Sequence, residues 1–404
     1  MLQQLLQRAP SKRTWVVLLL LGLLGATASR FLWAEHHLRA ARRALEHRAY
    51  PEAQAHLACY LRVWPHSLTA HLLAARCARG IGNLDEAERL LAACAQRGAD
   101  LEAVALERNL LHAQRGTLAP AREDLLWLWV EQQHPETPRI LEALALGGIY
   151  TQRLGEAMVC LERWLTYAPG DSQALYLRGL VWEGMGALQK AGDDYRQAVR
   201  HDPEHGPARQ RLAEYLIYAG EYQEAAELFE QLLERQPDDA TLSLGLARCR
   251  RPQGQIAEAE RLLDELLVRD SPPPPVLVER AYLAQDKGEF TAAEKWFRQA
   301  LAQDPFDHDA CHGLGRCLRA LGRPTEAETY DARRAQIERD LKRLGQLCEQ
   351  MAQDPNDVDL PYQAGMICLR NGQKAEARRW FRNVLQRHPQ HDGARRGLEE
   401  AVQK

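Results

Sequence analysis

A beat of 34 residues runs through this chain and limits what it can fold into. Alanines stand 34 apart at Ala53, Ala87 and Ala121; after a step of 36 they resume at Ala157, Ala191, Ala225, Ala259, Ala293 and Ala327, and a step of 50 reaches Ala377. Glycines keep the same beat five residues upstream, at Gly82, Gly116, Gly186, Gly220, Gly254, Gly288, Gly322 and Gly372. Prolines close units at Pro65, Pro169, Pro203, Pro237, Pro305, Pro355 and Pro389. Ten units of 34 residues, with insertions of 2 and 16 residues, account for residues 34–391. A period of this length marks one supersecondary unit stacked many times.

The unit spanning 172–205 shows what each period encodes. Leu175, Gly179 and Trp182 share one face of a first helix, and Gly186 breaks that helix at a tight turn. Leu188, Ala191, Tyr195 and Ala198 then form the apolar stripe of a second helix, whose alanines let backbones approach. Pro203 ends it. Each helix pair leaves an apolar flank that only a neighbouring pair covers, so the array is stable as a stack.

This pattern resembles the tetratricopeptide repeat family. That family carries a small residue near position 8, glycine near 15, alanine at 20, an aromatic or aliphatic residue at 24, a small or apolar one at 27 and proline near 32. Gly179, Gly186, Ala191, Tyr195, Ala198 and Pro203 match, as do Ala213, Gly220, Ala225, Phe229 and Pro237, with Leu232 in place of the small residue. Ala281, Gly288, Ala293, Phe297, Ala300 and Pro305 match again, and so do Gly365, Gly372, Ala377, Phe381 and Pro389. The resemblance covers residues 34–404, least closely at 34–67 and 102–137. It implies an all-α, right-handed α-solenoid of about ten helix-turn-helix repeats, here preceded by one N-terminal transmembrane helix. Its groove, lined by first helices, is expected to bind peptides or proteins.

Residues 1–13 form a basic tail, and 14–33 read as a transmembrane anchor or a signal peptide. Trp15 to Trp33 is apolar apart from Arg30 and a few small polar residues. As a helix it rises about 28 Å, close to the ~30 Å hydrocarbon thickness of a bilayer. Tryptophans at both ends suit the two interfaces, and Arg30 is placed to snorkel. The competing reading is a cleaved signal peptide, with Ala26-Thr27-Ala28 as its cleavage site. Either reading puts the repeats on the exoplasmic or periplasmic side when the basic tail stays inside, although Arg39, Arg42 and Arg43 on the far side oppose that orientation. The array then runs from 34 to 322, an extended-helix insertion from 323 to 357, and the last repeat with a C-terminal capping helix from 358 to 404.

Charge and cysteine usage exclude several function classes. Beyond residue 33 the chain holds 48 basic against 55 acidic residues, a net −7, and no basic excess marks a nucleic-acid binder. The nine cysteines include no CxxC pair, which argues against a disulfide framework and a zinc knuckle. His308 and His312, four apart, lack a third metal ligand, and no catalytic motif occurs. The chain is expected to be non-enzymatic, with no catalytic residues, no cofactor and no metal.

The candidate partner site follows from the resemblance, because family positions 2, 5, 9, 12 and 13 of each first helix line the groove. Three units repeat an Arg-Cys-x-Arg element, which places Arg76 and Arg79, Arg248 and Arg251, and Arg316 and Arg319 at positions 9 and 12. Paired guanidinium groups hold carboxylates bidentately, which suits an acidic or extended polypeptide. The alternative is solvated arginines paired with neighbouring acids. Cys77, Cys249 and Cys317 fall at position 10, where a small buried residue fits. Tyr176, Tyr218, Tyr282 and Tyr362 also map to the groove and offer stacking surface. No asparagine occupies position 9, so the family's carboxylate-clamp recognition of C-terminal peptides is not implied. The expected function is a scaffold or adaptor in the cell envelope; a glycan-binding or export accessory and a self-associating structural protein stand as alternatives. For the last, Tyr330, Ile337, Leu344 and Met351 recur every seven residues, with Leu341 and Cys348 between them. That makes either a packing surface for the adjacent repeat or a docking helix over 325–351.

Overall fold

The computed structural model describes residues 12–98, 101–268, 272–354 and 357–402. Among them are twenty-one helices and no strand. The chain divides into two compact units, 1–125 and 126–404. Pro355, one of the unit-closing prolines, lies outside the described residues.

The first unit holds α1 (Lys12–Glu46), α2 (Tyr50–Val63), α3 (Leu68–Ile81), α4 (Leu84–Gln96) and α5 (Leu101–Arg115); the boundary falls within α6 (Pro120–Glu131). The end of α1 and all of α2 make the first repeat, packed through Ala34, Leu38, Ala41, Ala53 and Leu57. Helices α3 and α4 make the second, packed through Ala75, Ala87, Leu91 and Cys94. No helix among the described residues is long and apolar enough to cross a membrane. The expected anchor at 14–33 falls mostly on side chains outside the described residues, those of 14–20 and 22–27.

The second unit continues the pairing: α7 (Thr137–Tyr150) with α8 (Leu154–Tyr167), α9 (Ser172–Gly184) with α10 (Leu188–His201), and α11 (Gly206–Ala219) with α12 (Tyr222–Leu233). Then come α13 (Ala240–Arg250) with α14 (Ile256–Leu267), and α15 (Pro274–Asp286) with α16 (Phe290–Gln303). Last are α17 (His308–Ala320) with α18 (Pro324–Gln353), α19 (Asp359–Arg370) with α20 (Lys374–Arg387), and the terminal α21 (Asp392–Val402). The aromatic at position 24 packs onto small residues of first helices. Phe297 is fully buried, and a Cβ added to Gly313 would lie 2.1 Å from its ring. Burying such a ring contributes about 2–3 kcal/mol, so the small residue is a steric requirement.

The turn between paired helices needs a left-handed residue, and the eight beat glycines all adopt positive φ, as at Gly186 (77°). The same turn in the first repeat is made by Arg48 (φ 55°) and in the fourth by Gln152 (φ 60°). The turn conformation therefore persists in the two units where the glycine is missing. A second periodic device was not visible as a motif. The residue just before α3, α9, α11, α13, α17 and α21 caps each of them: the side chains of Ser67, Asp171, Asp239 and Asp307, and the ring nitrogens of His205 and His391, accept from backbone N–H groups two or three residues on, whereas the residues just before α7, α15 and α19 make no side-chain cap. Each such cap contributes about 1 kcal/mol.

The sixteen-residue insertion lengthens a second helix into the thirty-residue α18. Leu344, Leu347, Cys348 and Met351 pack with Ala364, Trp380 and Phe381 of the final repeat, and Ile337 is buried. The seven-residue seam is thus largely occupied within the chain, with Leu341 the exposed member.

Residues far apart in sequence meet within the second unit. Asn383 Nδ2 on α20 donates to the Thr151 carbonyl at the α7–α8 turn, 2.9 Å, and Arg387 pairs with Glu156 at 3.1 Å. Arg382 donates to the Tyr150 hydroxyl at 3.3 Å, and Arg379 lies 5.6 Å from the Tyr150 ring centre. The superhelix closes, last repeat onto fourth.

Candidate functional site

First helices of successive repeats lie side by side, and between α9, α11 and α13 they enclose a depression of about 520 Å3. Tyr176 from α9, Gln210, Arg211 and Glu214 from α11, and Thr241 from α13 face it. These are residues of a solvent-facing helix surface, held in place by the apolar stripe beneath: Leu212, Ala213 and Leu216 anchor α11 in the core. A polar relay stiffens the wall. Tyr195 donates to Glu183 at 2.7 Å, Arg211 lies 3.4 Å from Glu183 and 3.0 Å from Glu214, and Gln210 donates to Glu214 at 3.1 Å. Burial, and the bond to Glu183, push the Tyr195 phenol far above its ordinary range, and burial raises that of Tyr176. Both tyrosines therefore act as neutral hydrogen-bonding and stacking groups. Tyr176 lies 5.3 Å from the His205 ring.

The Arg-Cys-x-Arg elements serve as inter-repeat fasteners. Arg76 and Arg79 share the buried Glu107 of the following repeat, at 2.8 and 3.4 Å. Arg248 and Arg251 share Glu279 in the same register, at 3.0 and 3.4 Å, and Arg251 adds Asp286 at 3.1 Å. The Arg251 guanidinium also lies 5.2 Å from the centre of the Tyr282 ring, whose hydroxyl donates to the Asp309 carbonyl at 2.8 Å. In the third element the matching position of the following first helix is Gln363, not an acid. Arg319 turns to Asp331 instead, and the exposed Arg316 makes no ion pair among the described residues. Cys77, Cys249 and Cys317 are buried, as a packing position requires, and burial pushes the Cys77 thiol up to about 11 and that of Cys249 to about 12.

The candidate residues do not converge on one point. Tyr176 faces the depression; Tyr218, on the same α11, is 64% exposed; Tyr362 packs 4.9 Å from the His391 ring in the last repeat. Arg76 and Arg79 belong to the first unit. Sequence reasoning missed Gln210, Arg211 and Glu214, although their helix and face were legible, because a polar residue on a helix surface carries no motif. His308 bonds Asp309 and Glu338, both at 3.1 Å, and His312 meets Arg334 at 2.8 Å. Among the described residues no group of three or more metal-binding side chains occurs.

Tetratricopeptide repeat models match residues 38–102, 216–275 and 278–340. No curated protein matches the chain. Solved structures similar to it include a tetratricopeptide repeat protein from Parabacteroides merdae, 17% identical over 71% of this chain and 99% of that one, with a TM-score of 0.36. PilW, a type IV pilus biogenesis factor, is 22% identical over 48% of this chain and 90% of its own, with a TM-score of 0.42. Pseudomonas aeruginosa PilF is 15% identical over 58% and 98%, with a TM-score of 0.40. The stretches at 38–102, 216–275 and 278–340 are thus similar to tetratricopeptide repeats, a module that generally mediates protein–protein interaction.

Proposed function

We propose that this tetratricopeptide-repeat chain is a non-enzymatic scaffold that binds an extended polypeptide along the first-helix surface of its second unit. The observation that carries the reading is the depression between α9, α11 and α13, where Tyr176, Gln210, Arg211 and Glu214 present mixed donors and acceptors on rigid helices. An extended segment offers peptide N–H and C=O groups at that spacing, and tyrosines supply contact area at low entropic cost. Preference for acidic residues falls to Arg316, whose charge has no carboxylate partner among the described residues, rather than to the arginines that already hold Glu107 and Glu279.

We further propose that residues 14–33 tether the scaffold to a membrane. In support, α1 runs unbroken from Lys12 into the first repeat. Phe31, Leu32 and Trp33 are exposed at its middle, with Phe31 edge-on to the exposed Trp64.

The test immobilises the full chain and compares proteins captured by wild type with those captured by a Tyr176→Ala, Tyr218→Ala, Arg316→Ser variant of equal melting temperature. Loss of at least tenfold of a captured species supports the groove. An unchanged capture profile rejects it.

A further inference from the structure

Where the second unit closes, a cavity of about 320 Å3 lies between the fourth and last repeats. Its wall is mostly apolar, with Leu154 and Val159 of α8, Met351 of α18 and Trp380 of α20. Of the carboxylates on it, Glu156 is held by Arg153 and Arg387, at 2.7 and 3.1 Å. Asp357 accepts from the amides of Asp359 and Leu360, at 2.8 and 3.2 Å, and has no cation partner among the described residues. A carboxylate without a counter-charge makes the cavity a poor receptor for an anion.

The unanswered positive charge of the seam lies outside the cavity. Residues 370–396 hold eight basic side chains against two acidic ones, a net +6, in an array that is acidic as a whole. Arg370 and Arg387 are paired, with Asp340 and Glu156. Arg378, Arg379 and Arg382 share one side of α20, within an arc of about 100° at 3.6 residues per turn. None of the three makes an ion pair among the described residues, not even with Glu376 a turn earlier.

Closure sets Tyr150, 43% exposed at the end of α7, against two of them. The Arg379 guanidinium lies 5.6 Å from its ring centre, and Arg382 Nη1 donates to its hydroxyl oxygen at 3.3 Å. Arginine has no acceptor, and the Tyr150 oxygen already accepts from Arg382, which leaves its O–H to donate outward. Arg378 gives one N–H to the Ala401 carbonyl at 3.4 Å and has others left. The cluster offers positive charge and donors, a chemistry matched by carboxylate oxygens.

We propose that α20, together with Tyr150, docks an acidic polypeptide segment, whose neighbouring Asp and Glu side chains bridge Arg378, Arg379 and Arg382. A single small anion on an exposed surface is held weakly. Carboxylates carried on one chain engage together at a raised effective concentration. The acidic body selects against long polyanions. At physiological salt a charge acts over about 8 Å, so a short segment meets the patch alone. A nucleic acid or an anionic bilayer would also lie over acidic surface and be repelled. None of these residues lines the first-helix depression, and the proposal stands whether or not that surface binds a polypeptide.

The probe is fluorescein-labelled octaglutamate, with octaglutamine as its uncharged counterpart, and fluorescence anisotropy with the full chain is the readout. Octaglutamate should bind at least tenfold more tightly than octaglutamine. Arg379→Gln combined with Arg382→Gln should weaken it at least tenfold, and Tyr150→Phe about threefold. Arg316→Ser, on the first-helix surface, should leave it unchanged. If the double variant melts early, Arg378→Glu, which leaves the Tyr150 contacts in place, should give the same loss. Equal binding of the two peptides, binding that survives a folded patch variant, or loss with Arg316→Ser alone would each overturn the proposal. So would sulfate displacing the peptide at equal charge concentration, which marks a lone-ion site, or tighter patch-dependent binding of single-stranded DNA or anionic vesicles.

Discussion

The second unit carries two concavities built on opposite principles. The first-helix depression lies between repeats adjacent in sequence, and its charged residues largely answer one another. The seam cavity lies between segments some 230 residues apart, is mostly apolar, and leaves a buried acceptor unanswered. In the depression, specificity has to come from shape and from displacing existing hydrogen bonds. Near-neighbour stacking produces the first kind of surface in any array of this type; only closure of the superhelix produces the second.

The sharpest way to break the contrast lies on the groove side. Glu279→Leu should cost about 3 kcal/mol of stability, because Arg248 and Arg251 lose the carboxylate they share. Denaturant titration reads this directly, and Glu107→Leu should behave alike in the first unit. If Glu279→Leu proves neutral, the arginines are available to a ligand and the acidic-partner reading extends to all of them. A smaller effect is expected at the seam. Asn383→Ala should cost about 1 kcal/mol and speed amide exchange around 150–156 and 380–387, with 206–219 unaffected. Global acceleration instead would mean that the seam is part of the folding core. The smallest effect has the opposite sign. Gln152→Gly should stabilise by about 0.5–1 kcal/mol, since a side chain at positive φ is strained where glycine is not. A melting curve that moves down would show that the Gln152 side chain contributes to the seam.

How much of this was legible in the sequence follows from the same contrast. The 34-residue beat specifies which helix pairs with which, and it located the turns at Gly186 and its equivalents to the residue. It also placed Cys249 inside and Tyr218 outside. It was silent on Arg48 and Gln152, which adopt the turn conformation without the glycine that signals it. The groove arginines were placed on the right helices, but their partners Glu107 and Glu279 were not named. An acid at a particular position of the next first helix reads as ordinary surface until the repeats are stacked. The contact between Asn383 and Thr151 was illegible for a different reason. It depends on the rotation accumulated over six repeats and on the lengthened α18, and no local pattern encodes that sum.

Closure also makes copy number matter. An open array tolerates duplication of a unit, since each new repeat meets only its neighbours. Here an extra 34 residues anywhere between α9 and α16 would carry α20 past Thr151 and Glu156 and unmake the clasp, so the second unit has a count as well as a sequence.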